Sequence, residues 1–248
     1  MPAHQIDLYS VSHRQIAKEI TMKVTPSALI RYAGLAAVAA GLVYAGIQPI
    51  HPPDVLASVT TNAWAVIMPL KVVMCLLFLI GLTGIYARQA KDAGWLGLVG
   101  FLLFSLSWAL NLAFIFAEGF IIPLLAETAP TFIDGFFGIF NGQPVEANLG
   151  ALPGLWAVNG ILYMLGGLLF GIATFRAGIL PRRAAGLLAV VSVLTPLAAL
   201  LPHELQRLAG MPVGLAVAWL GFALWAGQRA HTAEPLPLAP QLRQSGAR

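Results

Sequence analysis

The chain has 248 residues, of which 58% are hydrophobic and 10% charged. A soluble domain carries charge on about a quarter of its residues, so the composition excludes one and points to a lipid-embedded helical bundle. The net charge of +4 comes from cations in the tails and alternate loops, a pattern that membrane orientation explains without nucleic acid as a partner. The single cysteine, Cys75, excludes an intrachain disulfide and a cysteine metal cluster.

Residues 1–25 read as a polar cytoplasmic tail. Ser12-His13-Arg14-Gln15 fits a capping box, and Ile16 and Ile20 share a face beyond it. A short basic amphipathic helix on the inner membrane surface is one reading of this tail and an unstructured arm the other. The first 27 residues are mixed and polar, and the apolar run after Arg31 has the length of a full span. Both features argue against a cleaved secretory signal.

Thr25-Pro26 starts the first helix, a capping hydroxyl followed by proline at the first helical position. Six transmembrane helices are expected within 26–228, at about 26–50, 61–87, 95–118, 153–176, 183–201 and 211–228. The first ends in Gln48-Pro49-Ile50-His51-Pro52-Pro53, where the prolines stop it. The 119–152 connection is the longest. Its Phe132-Ile133-Asp134-Gly135-Phe136-Phe137-Gly138-Ile139-Phe140 is too apolar to stand free in water. It is expected either to anchor in the outer interface or to fold back as a lid. The proline-rich 229–248 segment is expected to be a disordered cytoplasmic tail.

Orientation follows from the cations. Residues 1–31 hold Arg14, Lys18, Lys23 and Arg31; the second connection holds Arg88 and Lys91; the fourth holds Arg176, Arg182 and Arg183; the C-terminal tail holds Arg229, Arg243 and Arg248. The opposite side has Arg207 alone among Asp54, Glu118, Glu127, Asp134, Glu146 and Glu204. This asymmetry places both termini in the cytoplasm and the 119–152 loop outside, in a cell inner membrane. Arg31 to His51 and Arg183 to His203 share a spacing, with Ala33-Gly34-Leu35 echoed by Ala185-Gly186-Leu187. A duplication and a chance match of low-complexity helices both fit this echo.

The segment from Gly160-Ile161-Leu162-Tyr163 through Phe175-Arg176-Ala177-Gly178-Ile179-Leu180-Pro181-Arg182-Arg183 to Gly186-Leu187-Leu188 resembles a bacterial family of six-helix integral membrane proteins classed as a domain of unknown function. The Ile30-Arg31-Tyr32-Ala33-Gly34-Leu35 opening is similar to that family as well. The resemblance implies an all-α, polytopic architecture over most of 28–228 and a bacterial source. It transfers no active site.

Lys71, in Met68-Pro69-Leu70-Lys71-Val72-Val73, is the sharpest anomaly. It lies about nine residues, or roughly 14 Å, into the second helix, where a charge costs a few kilocalories per mole. It is expected to face the bundle and meet Asn111 or Glu118, or both, on the third helix, with Asn111 at similar depth and Asn159 on the fourth helix somewhat higher. Cys75, one turn on, should line the same interior stripe. A ligand site of Lys71, Asn111, Glu118 and Asn159 is one reading; a structural ion pair or a snorkelling lysine is the other. A second candidate is His51 and Asp54 after the first helix with His203 and Glu204 after the fifth, an adequate zinc ligand set at one membrane level, though without metal-motif spacing. Helix 1 carries Ala33, Ala37, Gly41 and Ala45 at every fourth position, and helix 4 carries Gly167 and Gly171, faces suited to close helix packing.

No catalytic or cofactor motif is present, so three functions stand. The first is binding or passage of a small apolar or anionic amphiphile through an outer-facing pocket, with membrane lipid as the surrounding partner. The second is a membrane-embedded metal-dependent enzyme at the outer face. The third is a structural or accessory subunit of a membrane complex.

Overall fold

The computed structural model describes residues 25–142, 147–198 and 206–232, apart from the side chains of Pro196 and 228–232. Every regular element among the described residues is helical. The expected N-terminal amphipathic helix, most of the C-terminal tail, and His203 and Glu204 lie outside those residues.

Helix α1 spans Pro26–Ile47. The Thr25 hydroxyl caps it by accepting from the Ala28 amide at 3.2 Å, and Pro26 occupies the first turn. A 3-10 turn, Gln48–Ile50, extends it to His51. Helix α2 spans Asn62–Phe116 but is broken at Gly94, where φ is 57° and ψ is −158°. That conformation belongs to glycine, because a Cβ would clash with its own backbone. The two arms fold back on each other: Tyr86 stacks on Phe101 with centroids 4.7 Å apart, Phe78 on Trp108 at 3.7 Å, and the Trp64 indole donates to the Glu118 carbonyl at 3.2 Å. The expected helices at 61–87 and 95–118 are the arms of this hairpin.

A π-helical turn, Ala117–Ile121, and a 3-10 turn, Ile122–Leu125, leave the second arm. Helix α3 is Pro130–Asn141, α4 is Leu152–Ala177, α5 is Arg182–Leu197 and α6 is Met211–Thr232. Four helical segments are long and apolar enough to cross a membrane: Pro26–Ile50, Asn62–Leu125, Leu152–Ala177 and Arg207–Gly227. The second is the hairpin, with two antiparallel arms. The six expected spans therefore correspond to four such segments among the described residues, since two are joined in the hairpin and α5 is described over 16 residues, fewer than the roughly 20 a span needs.

Glycine sets how the helices meet. A Cβ on Gly41 would collide with the Gly214 carbonyl, and one on Gly34 would lie 2.8 Å from the Gly221 carbonyl. Helices α1 and α6 thus run antiparallel with their backbones in contact, which small residues alone permit. Gly166 does the same for α4 against Phe104, and Gly171 for α4 against Ala189 of α5. These contacts bring Arg31, the Gly94 turn with Arg88 and Lys91, and the α4–α5 turn with Arg176, Arg182 and Arg183 to one end of the bundle. The opposite end holds His51, Lys71, Glu118 and Arg207.

The phenylalanine-rich part of 119–152 forms α3. Ile133, Phe136 and Phe137 are buried against Trp64, Ile67, Met68, Phe114 and Ile122. The segment is a packed amphipathic helix across the ends of the α2 arms.

Candidate functional site

The charged cluster is assembled from three separate connections and one helix arm. His51 follows the 3-10 extension of α1, in extended backbone. Asp54 lies three residues on. Lys71 projects from the first arm of α2 and Glu118 from the π turn that ends the second. Arg207 comes from the 3-10 turn before α6.

Lys71 Nζ donates to Glu118 Oε2 at 3.1 Å and to His51 Nε2 at 2.9 Å. The Lys71 side chain is 15% exposed and Glu118 4%, so this is a largely desolvated ion pair. An ammonium only donates, hence Nε2 is the acceptor and Nδ1 carries the imidazole proton. Nδ1 donates in turn to the Pro52 carbonyl at 2.6 Å; Arg207 Nη1 lies 2.9 Å from the same nitrogen and, with Nδ1 protonated, faces it as a second donor and not as a hydrogen-bond partner. Arg207 Nη1 donates to the His51 and Pro52 carbonyls at 3.1 and 2.9 Å, and Nη2 reaches Asp54 Oδ2 at 2.6 Å. The imidazole therefore sits between two cations. Burial, reinforced by the Lys71 and Arg207 charges and opposed by Asp54, pushes its pKa down to about 4, so His51 is neutral at physiological pH.

The expected lysine site comes together in part. Lys71 meets Glu118. Asn111 and Asn159 meet each other: the Asn159 amide donates to Asn111 Oδ1 at 3.2 Å, the Ser107 hydroxyl donates to Asn159 Oδ1 at 2.9 Å, and the Asn111 amide donates to the Ser107 carbonyl at 3.1 Å. Cys75 is fully buried in the same core as Phe78 and Trp108, on the interior side as expected.

His203 and Glu204 of the expected metal set lie outside the described residues. Of the other two, Asp54 is held by Arg207, and among the described residues the carboxylate grouped with His51 and Asp54 is Glu118. One ligand atom from each of His51, Asp54 and Glu118 lies within 4.8 Å of the others. The Lys71 ammonium bonds two of these three residues. It fills the place of a cation, and a metal there would have to displace it.

Below the cluster lies a cavity of about 500 Å³, within the range of small-molecule sites. His51, Asp54, Lys71, Glu118 and Arg207 line one end. Tyr44, Met74, Trp108, Phe114, Ile115, Trp156 and Tyr163 give it apolar and aromatic walls, and Phe140 and Asn141 of α3 border it. Asn111 and Asn159 also face it. Away from the cluster, Trp108 is stacked on Phe78, and Phe104 lies edge-on to Tyr163 at 5.4 Å. Phe78, Phe104 and Phe170, all fully buried, fill the bundle beyond that point.

Sequence reasoning passed over Arg207, Ser107 and the aromatic walls. The signal for Arg207 was available: it is the single cation among the acids of the connections expected on that side. Trp108 lies three residues before Asn111, hence on the same helix face. No family model, no curated protein and no solved structure matches the chain.

Proposed function

We propose that the protein is a multi-pass protein of a bacterial inner membrane, with six membrane-crossing helical legs, cytoplasmic termini and a cavity facing outward, in which it binds a small amphiphile. The carrying observation is the cavity itself: about 500 Å³, lined both by aromatic side chains and by a largely desolvated polar cluster. An amphiphile matches both kinds of lining at once. The orientation rests on the gathering of Arg31, Arg88, Lys91, Arg176, Arg182 and Arg183 at the end away from the cavity, the end that positive-inside sorting keeps in the cytoplasm. The aromatic packing beyond Trp108 supports binding over free passage.

The test is mass spectrometry of lipids and small molecules that stay with the protein after mild extraction. Gly160 lines the cavity, and a Cβ there has no neighbour within 4 Å, so Gly160→Leu fills the space without touching backbone. Wild type should retain a defined amphiphile near one per chain, and Gly160→Leu should lose it while unfolding at a similar temperature. Equal occupancy in both proteins would overturn the reading.

The grouping of His51, Asp54 and Glu118 favours a second reading, a metal-dependent enzyme at the same end. It requires Lys71 to swing away. Stoichiometric zinc in the purified wild type, lost in His51→Ala, would establish it.

A further inference from the structure

We infer that the amphiphile carries a neutral, hydroxyl-bearing head, of the monoacylglycerol or long-chain alcohol class, in preference to a carboxylate or an amine. The inference rests on the binding reading above and adds the chemistry of the head.

The charges at the cavity end already balance. Lys71 is paired with Glu118 and Arg207 with Asp54, and His51 carries none. An anionic head drawn to Lys71 would have to take it from Glu118, leaving a carboxylate 4% exposed without its cation. A cationic head would have to take Asp54 or Glu118 from its partner and strand a guanidinium or an ammonium. Breaking one member out of a buried pair is far costlier than leaving the pair whole. A neutral head disturbs neither.

The hydrogen-bonding capacity left over is mixed in sign. An ammonium has three protons; Lys71 uses two of them, on His51 and Glu118. Asp54 Oδ1 and Asn141 Oδ1 are buried acceptors without a hydrogen-bond partner, and both residues line the cavity. Asn141 is tied to the Asp54 segment through its amide, which donates to the Asp54 carbonyl at 3.3 Å, so the two acceptors belong to one corner. Deeper in, Trp108 is 2% exposed and its indole Nε1 has no partner. A carboxylate only accepts and would meet Asp54 Oδ1 with repulsion. An ammonium only donates and would meet Lys71 with repulsion. A hydroxyl does both, donating to Asp54 and Asn141 and accepting from Lys71, and a second oxygen such as an ester carbonyl can accept from Trp108.

The experiment uses the full chain in lipid nanodiscs and three radiolabelled probes with one tail length: 1-decanoylglycerol, decanoate and decylamine. Specific binding is the signal lost in Gly160→Leu. The expected result is saturable binding of decanoylglycerol, at least tenfold tighter than either charged probe. Trp108→Phe should weaken it about two- to tenfold, the loss of one hydrogen bond, while leaving decylamine unchanged. Decanoate or decylamine binding as tightly as decanoylglycerol would overturn the inference and leave the cavity a binding site. No saturable binding by any probe, or binding that survives Gly160→Leu, would overturn the binding reading and the inference with it.

Discussion

The seam between α1 and α6 and the cavity are built on opposite principles. Along the seam, α1 and α6 touch backbone to backbone through Gly34, Gly41, Gly214 and Gly221, and nothing larger fits. Around the cavity, side chains such as Tyr44, Gln48 and Arg207 form the lining. The difference teaches where rigidity and tolerance lie. A glycine seam offers no alternative packing, because its contacts are with backbone, which cannot rotate away. The cavity end consists of side chains, each with partners that can be removed one at a time.

The largest effect should come from breaking the seam. Gly41→Leu drives a side chain into the Gly214 carbonyl and the Ala218 backbone. Overpacking against backbone forces the helices apart, with an expected cost of about 4 kcal/mol, enough to prevent recovery of folded protein. Size-exclusion profiles and thermal unfolding in micelles would read this. A monodisperse Gly41→Leu protein with wild-type unfolding would mean that the seam is not rigid. Gly160→Leu is the matched control at the tolerant end.

Next in size is the ion pair. Glu118→Gln leaves the Lys71 ammonium facing one imidazole and an amide, at an expected cost of about 3 kcal/mol, the lower end for a stranded buried charge because Lys71 keeps some solvent contact. The double change Lys71→Met with Glu118→Leu removes both charges and should unfold near the wild-type temperature or above it. If the double variant is as unstable as Glu118→Gln, the pair contributes more than the desolvation it suffers, and its charges are needed for the fold.

How far this contrast was legible in the sequence depends on the range of the interaction. The Gly94 turn, flanked by Lys91 and a return of apolar periodicity, is a local signal. So is the meeting of Lys71 with the second arm, since a buried charge must find a partner and Glu118 was the nearest acid. The helical form of the phenylalanine-rich stretch had a local signal too, Pro130 at a helix start, but its apolar density read as a loop that either anchors in the interface or folds back as a lid. The neighbours of His51 were not legible. Its contact with Arg207 joins residues 156 apart in sequence, and no periodicity constrains which turns at that end of the bundle meet. Two histidines at one membrane level suggested a shared metal; the described partners of His51 are a lysine and an arginine. Small residues on α1 and α4 were readable as packing faces, yet the identity of the opposing helix, α6 for one and α5 with the second arm for the other, required the fold.

A third prediction sets the cavity end against pH. His51 has a folded pKa near 4, below the ordinary value near 6.5. Between those values the unfolded chain binds a proton that the folded one refuses, so stability rises with pH across that window. The contribution is fully present above about pH 6.5 and is lost as pH falls toward 4, by up to about 3 kcal/mol. Thermal unfolding followed from pH 7.5 to 4.5 should show this slope in wild type. His51→Asn should flatten it, because an amide has no proton to gain. An unchanged slope in that variant would place the acid sensitivity elsewhere.

The smallest expected effect concerns the asparagine pair. Asn111 and Asn159 were candidate ligand groups from the sequence, and both face the cavity. Their amides are nonetheless spent on each other and on Ser107, which closes a three-residue ring between the second α2 arm and α4. Ser107→Ala removes the one hydroxyl donor to Asn159 Oδ1 and keeps the Ser107 carbonyl that holds Asn111. Asn159 is 3% exposed, so its oxygen then lacks a donor, at an expected cost of about 1 kcal/mol, or less if the amide finds another partner in the bundle. The change touches neither the ion pairs nor the free Trp108 N–H, so amphiphile affinity should stay within about twofold of wild type, less than one hydrogen bond's worth. A much larger fall in affinity with little change in stability would reverse the assignment: the ring would then be a ligand support and not a helix tie, and the tolerant end of the bundle would extend one turn deeper than the cluster around Lys71.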